Sequence, residues 1–188
     1  MGFRRTAPPI LSDVRDAGMT VVRRPVLLDV LPAAYASIVT AAVAAEDGRE
    51  TGGILLGHDA SESVIRVRRA GDAGADAIRR PERFVRDAAH AQRLADAAFA
   101  EDGSVWVGEW HTHPVGQTQP SATDVAGYAA LLDDRAMGLA RFVSVVVTAN
   151  GDHGWTRPVL MPWLVDNFGV HGMTLSIVTA TALRPWPS

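Results

Sequence analysis

Residues Gly108–Asp124 read GEWHTHPVGQTQPSATD, and the elements of the chain are best read outward from them. The run from Val105 to Trp110 suits a β-strand that delivers His111. His111 and His113 lie two apart, so alternation along a strand puts both side chains on one face. Pro114 lacks a ladder donor and stops the strand. Polar, Gly- and Pro-containing residues carry the chain to Ser121, where a helix is expected to start with Asp124 in its first turn. A strand end facing a helix start can bring three nitrogen or oxygen ligands to one point. Three protein ligands with a fourth position open to water are the pattern of a catalytic rather than a structural zinc.

The spacing His111-x-His113-x7-Ser121-x2-Asp124 resembles the JAMM motif of the JAB/MPN metallopeptidases. That family also places a glutamate upstream, beside a glycine pair at the start of a strand. Glu50-Thr51-Gly52-Gly53-Ile54-Leu55-Leu56-Gly57 is similar to that element. The direct match runs from Glu50 to Asp124. The resemblance implies a single α/β domain, a mixed β-sheet flanked by helices of JAB/MPN type with cytidine-deaminase-like architecture. It implies one Zn2+ per chain held by His111, His113 and Asp124, with Glu50 as general base and Ser121 beside the reacting oxygen. It also implies a substrate class: isopeptide or peptide bonds after the C-terminus of a ubiquitin-like protein. In bacteria such proteins accompany conjugation systems, including antiphage ones.

Composition sets bounds on that reading. At 188 residues, with 47% hydrophobic and 21% charged residues, the chain suits one soluble globular domain. A net charge of -3 argues against a nucleic-acid surface as the main function, while leaving a local patch open. No cysteine is present, which excludes disulfides, thiolate zinc sites and a cysteine nucleophile. The N-terminal residues lack the apolar run of a signal peptide, and no apolar stretch reaches the roughly 20 residues of a membrane helix. The expectation is a cytoplasmic protein with no membrane partner. All 18 basic residues are arginine. A GC-rich genome accounts for that, as would avoidance of lysine beside a lysine-directed conjugation system.

Along the chain, residues 1–18 read as a lead-in, 19–183 as the domain and 184–188 as a tail. Strands are expected over Thr20–Val30, Gly52–His58, Val64–Arg69, Val105–Trp110, Phe142–Thr148, Trp155–Trp163 and Met173–Ala182. Pro158 and Pro162 place the Trp155–Trp163 strand at an edge. Helices are expected over Ala33–Glu46, Glu82–Glu101 and Ser121–Met137. Their apolar stripes would be Tyr35, Ile38, Val39, Ala42 and Val43; then Phe84, Ala88, Ala91, Ala95 and Phe99, with Leu94 and Ala98 beside them; then Val125, Tyr128, Ala129 and Leu132. Ala70–Pro81, rich in Gly, Ala and Arg, reads as a mobile loop with room for an extended substrate tail. Gly52 and Gly53 weaken a strand, and their use would be close approach by another backbone or a substrate.

Each site residue also has an ordinary reading. A lone His-x-His at a strand end is usually structural. Ser121-x-x-Asp124 has the form of a helix capping box, which is compatible with ligation because a cap fixes both side chains. Glu50 could be a solvated loop acid. His58, His90, His153 and His171 lack a second ligand at metal spacing, and Trp106 and Trp110 read as core residues. The competing functions are a JAB-type peptidase on small or cell-wall peptides or sulfur-carrier precursors, and a non-catalytic MPN scaffold. A zinc deaminase is disfavoured because its cysteine ligands are absent.

Overall fold

The computed structural model describes residues 26–178 apart from 46 and 115. The lead-in at 1–18, the tail at 184–188 and the outer ends of the first and last expected strands lie outside the described residues. Ten strands and three α-helices follow in chain order: β1 (Leu27–Val30), α1 (Pro32–Ala44), β2 (Gly52–Ser61), β3 (Val64–Ala70), β4 (Ile78–Arg80), β5 (Arg83–Val85), α2 (Ala88–Asp102), β6 (Val105–Thr112), α3 (Ala122–Asp133), β7 (Arg141–Asn150), β8 (Gly154–Asp166), β9 (Gly169–Gly172) and β10 (Thr174–Ile177). Eight strands form one mixed sheet in the order β10-β1-β3-β2-β6-β7-β8-β9, which is the expected α/β class.

Alternation divides the side chains between two layers. On β2, Leu55 enters the main core with α1, whereas Ile54 and Leu56 face α2. On β7, Val143, Val145 and Val147 join the α1 side, and Phe142 packs with Tyr128 of α3. α1 starts with Pro32 in its first turn, where a missing donor costs nothing. Its buried stripe is Ala34, Ile38 and Ala42; Val43 lies outside it and is exposed. One residue, Met173, separates β9 from β10, so the chain passes directly from one edge of the sheet to the other. Met173 N donates to Pro162 O (3.0 Å) and Thr174 N to Val26 O (3.2 Å) at that passage. The sheet therefore curls around α1.

Several expectations need correction. Residues Ala70–Pro81 are not a loop throughout: β4 pairs antiparallel with β5 in a two-stranded ribbon around Pro81. The second helix begins at Ala88, not Glu82, because the Asp87 side chain caps it by accepting from His90 N (2.9 Å). Phe84 thus belongs to the ribbon, and Phe99 points to solvent at 64% exposure. The third helix ends at Asp133, four residues early; Asp134 accepts from Ala136 N (2.9 Å) and folds the chain into a turn. Ala129 on that helix is exposed. β8 is not the sheet edge, since β9 flanks it. β9 pairs with Trp163–Asp166 and Met173 N reaches the Pro162 carbonyl just beyond, so of the two prolines only Pro158 lies in a stretch that β9 does not flank.

The glycine pair serves close backbone approach within the fold. A Cβ on Gly52 would strike the Trp110 carbonyl and stand 2.8 Å from Phe84; one on Gly53 would strike the Gly71 carbonyl. The neighbours are the protein's own backbone and side chains: β6 and the ribbon at Gly52, and the segment just after β3 at Gly53.

Candidate metal centre

β6 is central, hydrogen-bonded to β2 on one side and β7 on the other. It carries Trp110 into the α1 core, where the indole N–H donates to Gly71 O (2.8 Å). His111 therefore faces the other layer, toward α3. The ladder continues past the strand end. Thr51 N donates to Thr112 Oγ1 (2.9 Å) and Thr112 N to Thr51 O (2.8 Å). His113 N donates to Val147 O (2.8 Å), so His113 is fixed although the strand has ended. Both imidazoles are buried, at 2% and 3% exposure, which excludes a solvated role for either.

α3 supplies the third group. Ser121 caps it and Asp124 is its third residue, with both halves of the capping box formed. Asp124 N donates to Ser121 Oγ (3.2 Å), and Ser121 N donates to Asp124 Oδ2 (2.7 Å). The cap and the site share the same two residues. Asp124 Oδ2 then lies 3.4 Å from His111 Nε2 and 3.6 Å from His113 Nε2, and the two Nε2 atoms are 2.9 Å apart. Tetrahedral zinc with bonds of about 2.0–2.1 Å would hold its donors about 3.3 Å apart. The three measured edges bracket that value, so the donor set fits the ion. His113 Nδ1 sits 3.2 Å from Gln117 O, which leaves Nε2 as the lone-pair nitrogen when Nδ1 donates. Among the described residues no other three His, Asp or Glu side chains converge in this way.

Glu50 approaches from the start of β2. Gly52 pairs with His111, so Glu50, two residues earlier, comes opposite His113 on the same face. Its backbone is tied to the ribbon: Glu50 N donates to Arg80 O (2.8 Å), and Arg79 Nε donates to Glu50 O (3.2 Å). Burial raises the Glu50 carboxyl above its ordinary value, against the opposing charges of His111 and His113. Burial would raise Asp124 too, but hydrogen bonds from His111 and His113 outweigh it and hold that carboxyl well below the usual range. The same pairing outweighs burial at His111 and raises its imidazole. The result is one firmly ionised carboxylate beside two imidazoles, and a second, more basic carboxylate next to them.

The structure thus brings His111, His113, Asp124, Ser121 and Glu50 together, and leaves His58, His90, His153 and His171 outside the triangle. The Thr51–Thr112 clasp and the Gln117 carbonyl complete the geometry without any signal in the spacing. Glu109 shares the His111 face by the same alternation and was readable from the strand itself.

The family described as prokaryotic homologs of the JAB domain matches residues 32–158, which contain all five of these positions. A protein of Enterobacter hormaechei named CD-NTase/cGAS isopeptidase is 27% identical over 129 residues, 68% of this chain and 62% of that one. A protein of the same name from Vibrio cholerae is 34% identical over 77 residues, 40% of this chain and 49% of its own length. The chain thus spans from 49% to 62% of the length of these two relatives. The solution structure of a Desulfitobacterium hafniense protein aligns with TM-score 0.59 and 20% identity over 82% of this chain and 97% of that one, a likeness of fold. With residues 32–158 of 188 matched, the chain belongs to the prokaryotic homologs of the JAB domain.

Proposed function

We propose that this chain is a zinc-dependent hydrolase that cuts the isopeptide or peptide bond following the C-terminus of a ubiquitin-like protein. The observation that carries the reading is the triangle of His111 Nε2, His113 Nε2 and Asp124 Oδ2, with Glu50 on the same face. When bound there, zinc supplies Lewis acidity, acidifying water and polarising a carbonyl.

The chain's own residues do the rest. Asp124 stays ionised and balances the ion's charge. Glu50, made more basic by burial, takes the proton of the attacking water and delivers one to the departing amine, as the C–O bond forms and the C–N bond breaks. Ser121 Oγ already accepts from Asp124 N, so its hydrogen is free to donate to the carbonyl oxygen as that atom gains charge. The name shared by the relatives supports an isopeptide substrate, and it points to a CD-NTase/cGAS-type protein as the conjugated partner.

The test compares a ubiquitin-like protein fused through its C-terminus to a reporter with the bare tail peptide carrying the same bond. Binding energy from the distant globular surface should appear in turnover, so kcat/KM should be higher on the fusion. Equal kcat/KM on both would replace this reading with a peptidase of small peptides.

A further inference from the structure

Glu109 has no part in the chemistry above, yet it shares its strand face with His111 and His113. Its side chain is 13% exposed and forms an ion pair with Arg86, which is 26% exposed. Such a pair is costly to leave half-made. Around it the contacts close into a circuit. The Arg86 guanidinium lies over the Trp106 ring, 4.8 Å from its centroid. Trp106 meets Phe142 edge-on at 5.3 Å, and Phe142 meets Tyr128 at 5.1 Å. The Tyr128 hydroxyl is 3.1 Å from Ser144 Oγ, both side chains being buried. Ser144 is the register partner of Glu109 on β7, which brings the circuit back to its start. Burial first, and then the Glu109 charge, push the Tyr128 phenol up, so it remains a neutral hydroxyl donor beside that carboxylate.

Tyr128 is four residues after Asp124 on α3, and residues four apart share a helix face. α3 therefore meets the sheet at two points one turn apart: Asp124 against the histidines, and Tyr128 against Ser144 and Glu109. We propose that Arg86, Glu109, Tyr128 and Ser144 are positioning residues that lock α3 in register with β6 and so set Asp124 against the histidine pair. The inference rests on the zinc reading above. It concerns how tightly the ion is held rather than the bond that is cut. Arg86 lies between β5 and α2, so the cluster also ties the ribbon beside Glu50 to the same frame.

The experiment measures zinc(II) affinity of the full chain by competition with a chromophoric chelator. Tyr128→Phe removes one oxygen and keeps the ring, and Glu109→Gln keeps the shape and removes the charge. Each should weaken zinc by about 10-fold or more, within the 10–100-fold typical of residues that orient ligands. Ile38→Val, in the α1 core on the opposite face, lowers stability without touching the cluster and should leave affinity unchanged. The decisive arm repeats Tyr128→Phe in an Asp124→Ala background, titrated at zinc(II) concentrations high enough to load the remaining His111–His113 pair once stoichiometric binding is lost. A residue acting through Asp124 has nothing further to lose there, whereas a general effect on the fold would persist. Wild-type affinity in both single variants, or an undiminished effect in the Asp124→Ala background, overturns the proposal while leaving the zinc site intact. Absence of zinc binding by the wild-type chain would overturn the zinc reading and this inference with it.

Discussion

Asp102 and Asp124 are both helix-end aspartates held low by cationic or hydrogen-bonding neighbours, and only one of them makes a site. Asp102 closes α2, where the helix dipole disfavours negative charge. Arg68 Nε and Arg69 Nη1 each stand 2.8 Å from its Oδ2, and Ser104 N donates to Oδ1 (3.0 Å). Burial would raise it, but the Ser104 and Arg69 hydrogen bonds and the Arg68 charge bring it to about 2. Asp124 opens α3, where the dipole favours the charge. The guanidinium groups at Asp102 can only donate. The imidazoles at Asp124 carry lone pairs that can turn toward a cation. A depressed carboxylate alone therefore does not identify a site; the acceptor capacity of its neighbours does.

The largest effect that could break this contrast is on metal content. His111→Ala or Asp124→Ala should lose stoichiometric zinc by elemental analysis, while Asp102→Ala should keep it. Full occupancy in a His111→Ala/His113→Ala double variant would show that the ligands lie elsewhere. Next in size is an effect on turnover with the metal retained. Glu50→Gln should keep fold and zinc yet lose at least about 100-fold in kcat, the low end for removing a general base. Near-wild-type hydrolysis by that variant would remove Glu50 from the proton path.

The contrast also marks what the sequence could reveal. His111, His113, Ser121 and Asp124 fall within 14 residues, so strand alternation and a capping box give their placement locally. Glu50 is 61 residues from His111 and was legible only through the Gly52-Gly53 element beside it. The β4–β5 ribbon gave no signal. Its three-residue strands are too short for a period, and tertiary contacts hold it: Arg79 on Asp47 (3.0 Å) and on the Glu50 carbonyl, and Phe84 over Gly52. The Arg86–Glu109 pair joins residues 23 apart across different elements, which no local pattern encodes. β9 was missed for the same reason as the ribbon, since Gly169–Gly172 has no alternation and exists by pairing with β8. Asp87, by contrast, carried a readable N-cap signal that would have placed the start of α2.

The smallest effect sharpens the contrast through pH. Asp102 has a folded value of about 2 against an ordinary 3.8, a depressed carboxylate. Its charge therefore stabilises the fold above the ordinary value, and that contribution fades as pH falls from 3.8 toward 2. Asp102→Asn keeps the shape and much of the hydrogen bonding while removing the charge. The loss at neutral pH should be about 1 kcal/mol, discounted for the solvent around the Arg68 and Arg69 side chains. For a domain of this size that is about 2–4 °C in Tm. Melts of the wild type and Asp102→Asn should differ by that amount at pH 7 and converge by pH 2. Zinc content should be equal in both at pH 7, because Asp102 lies outside the His111–His113–Asp124 triangle. A Tm gap that persists unchanged to pH 2 would mean that the loss comes from packing rather than charge. Asp102 would then no longer stand as the electrostatic counterpart of Asp124.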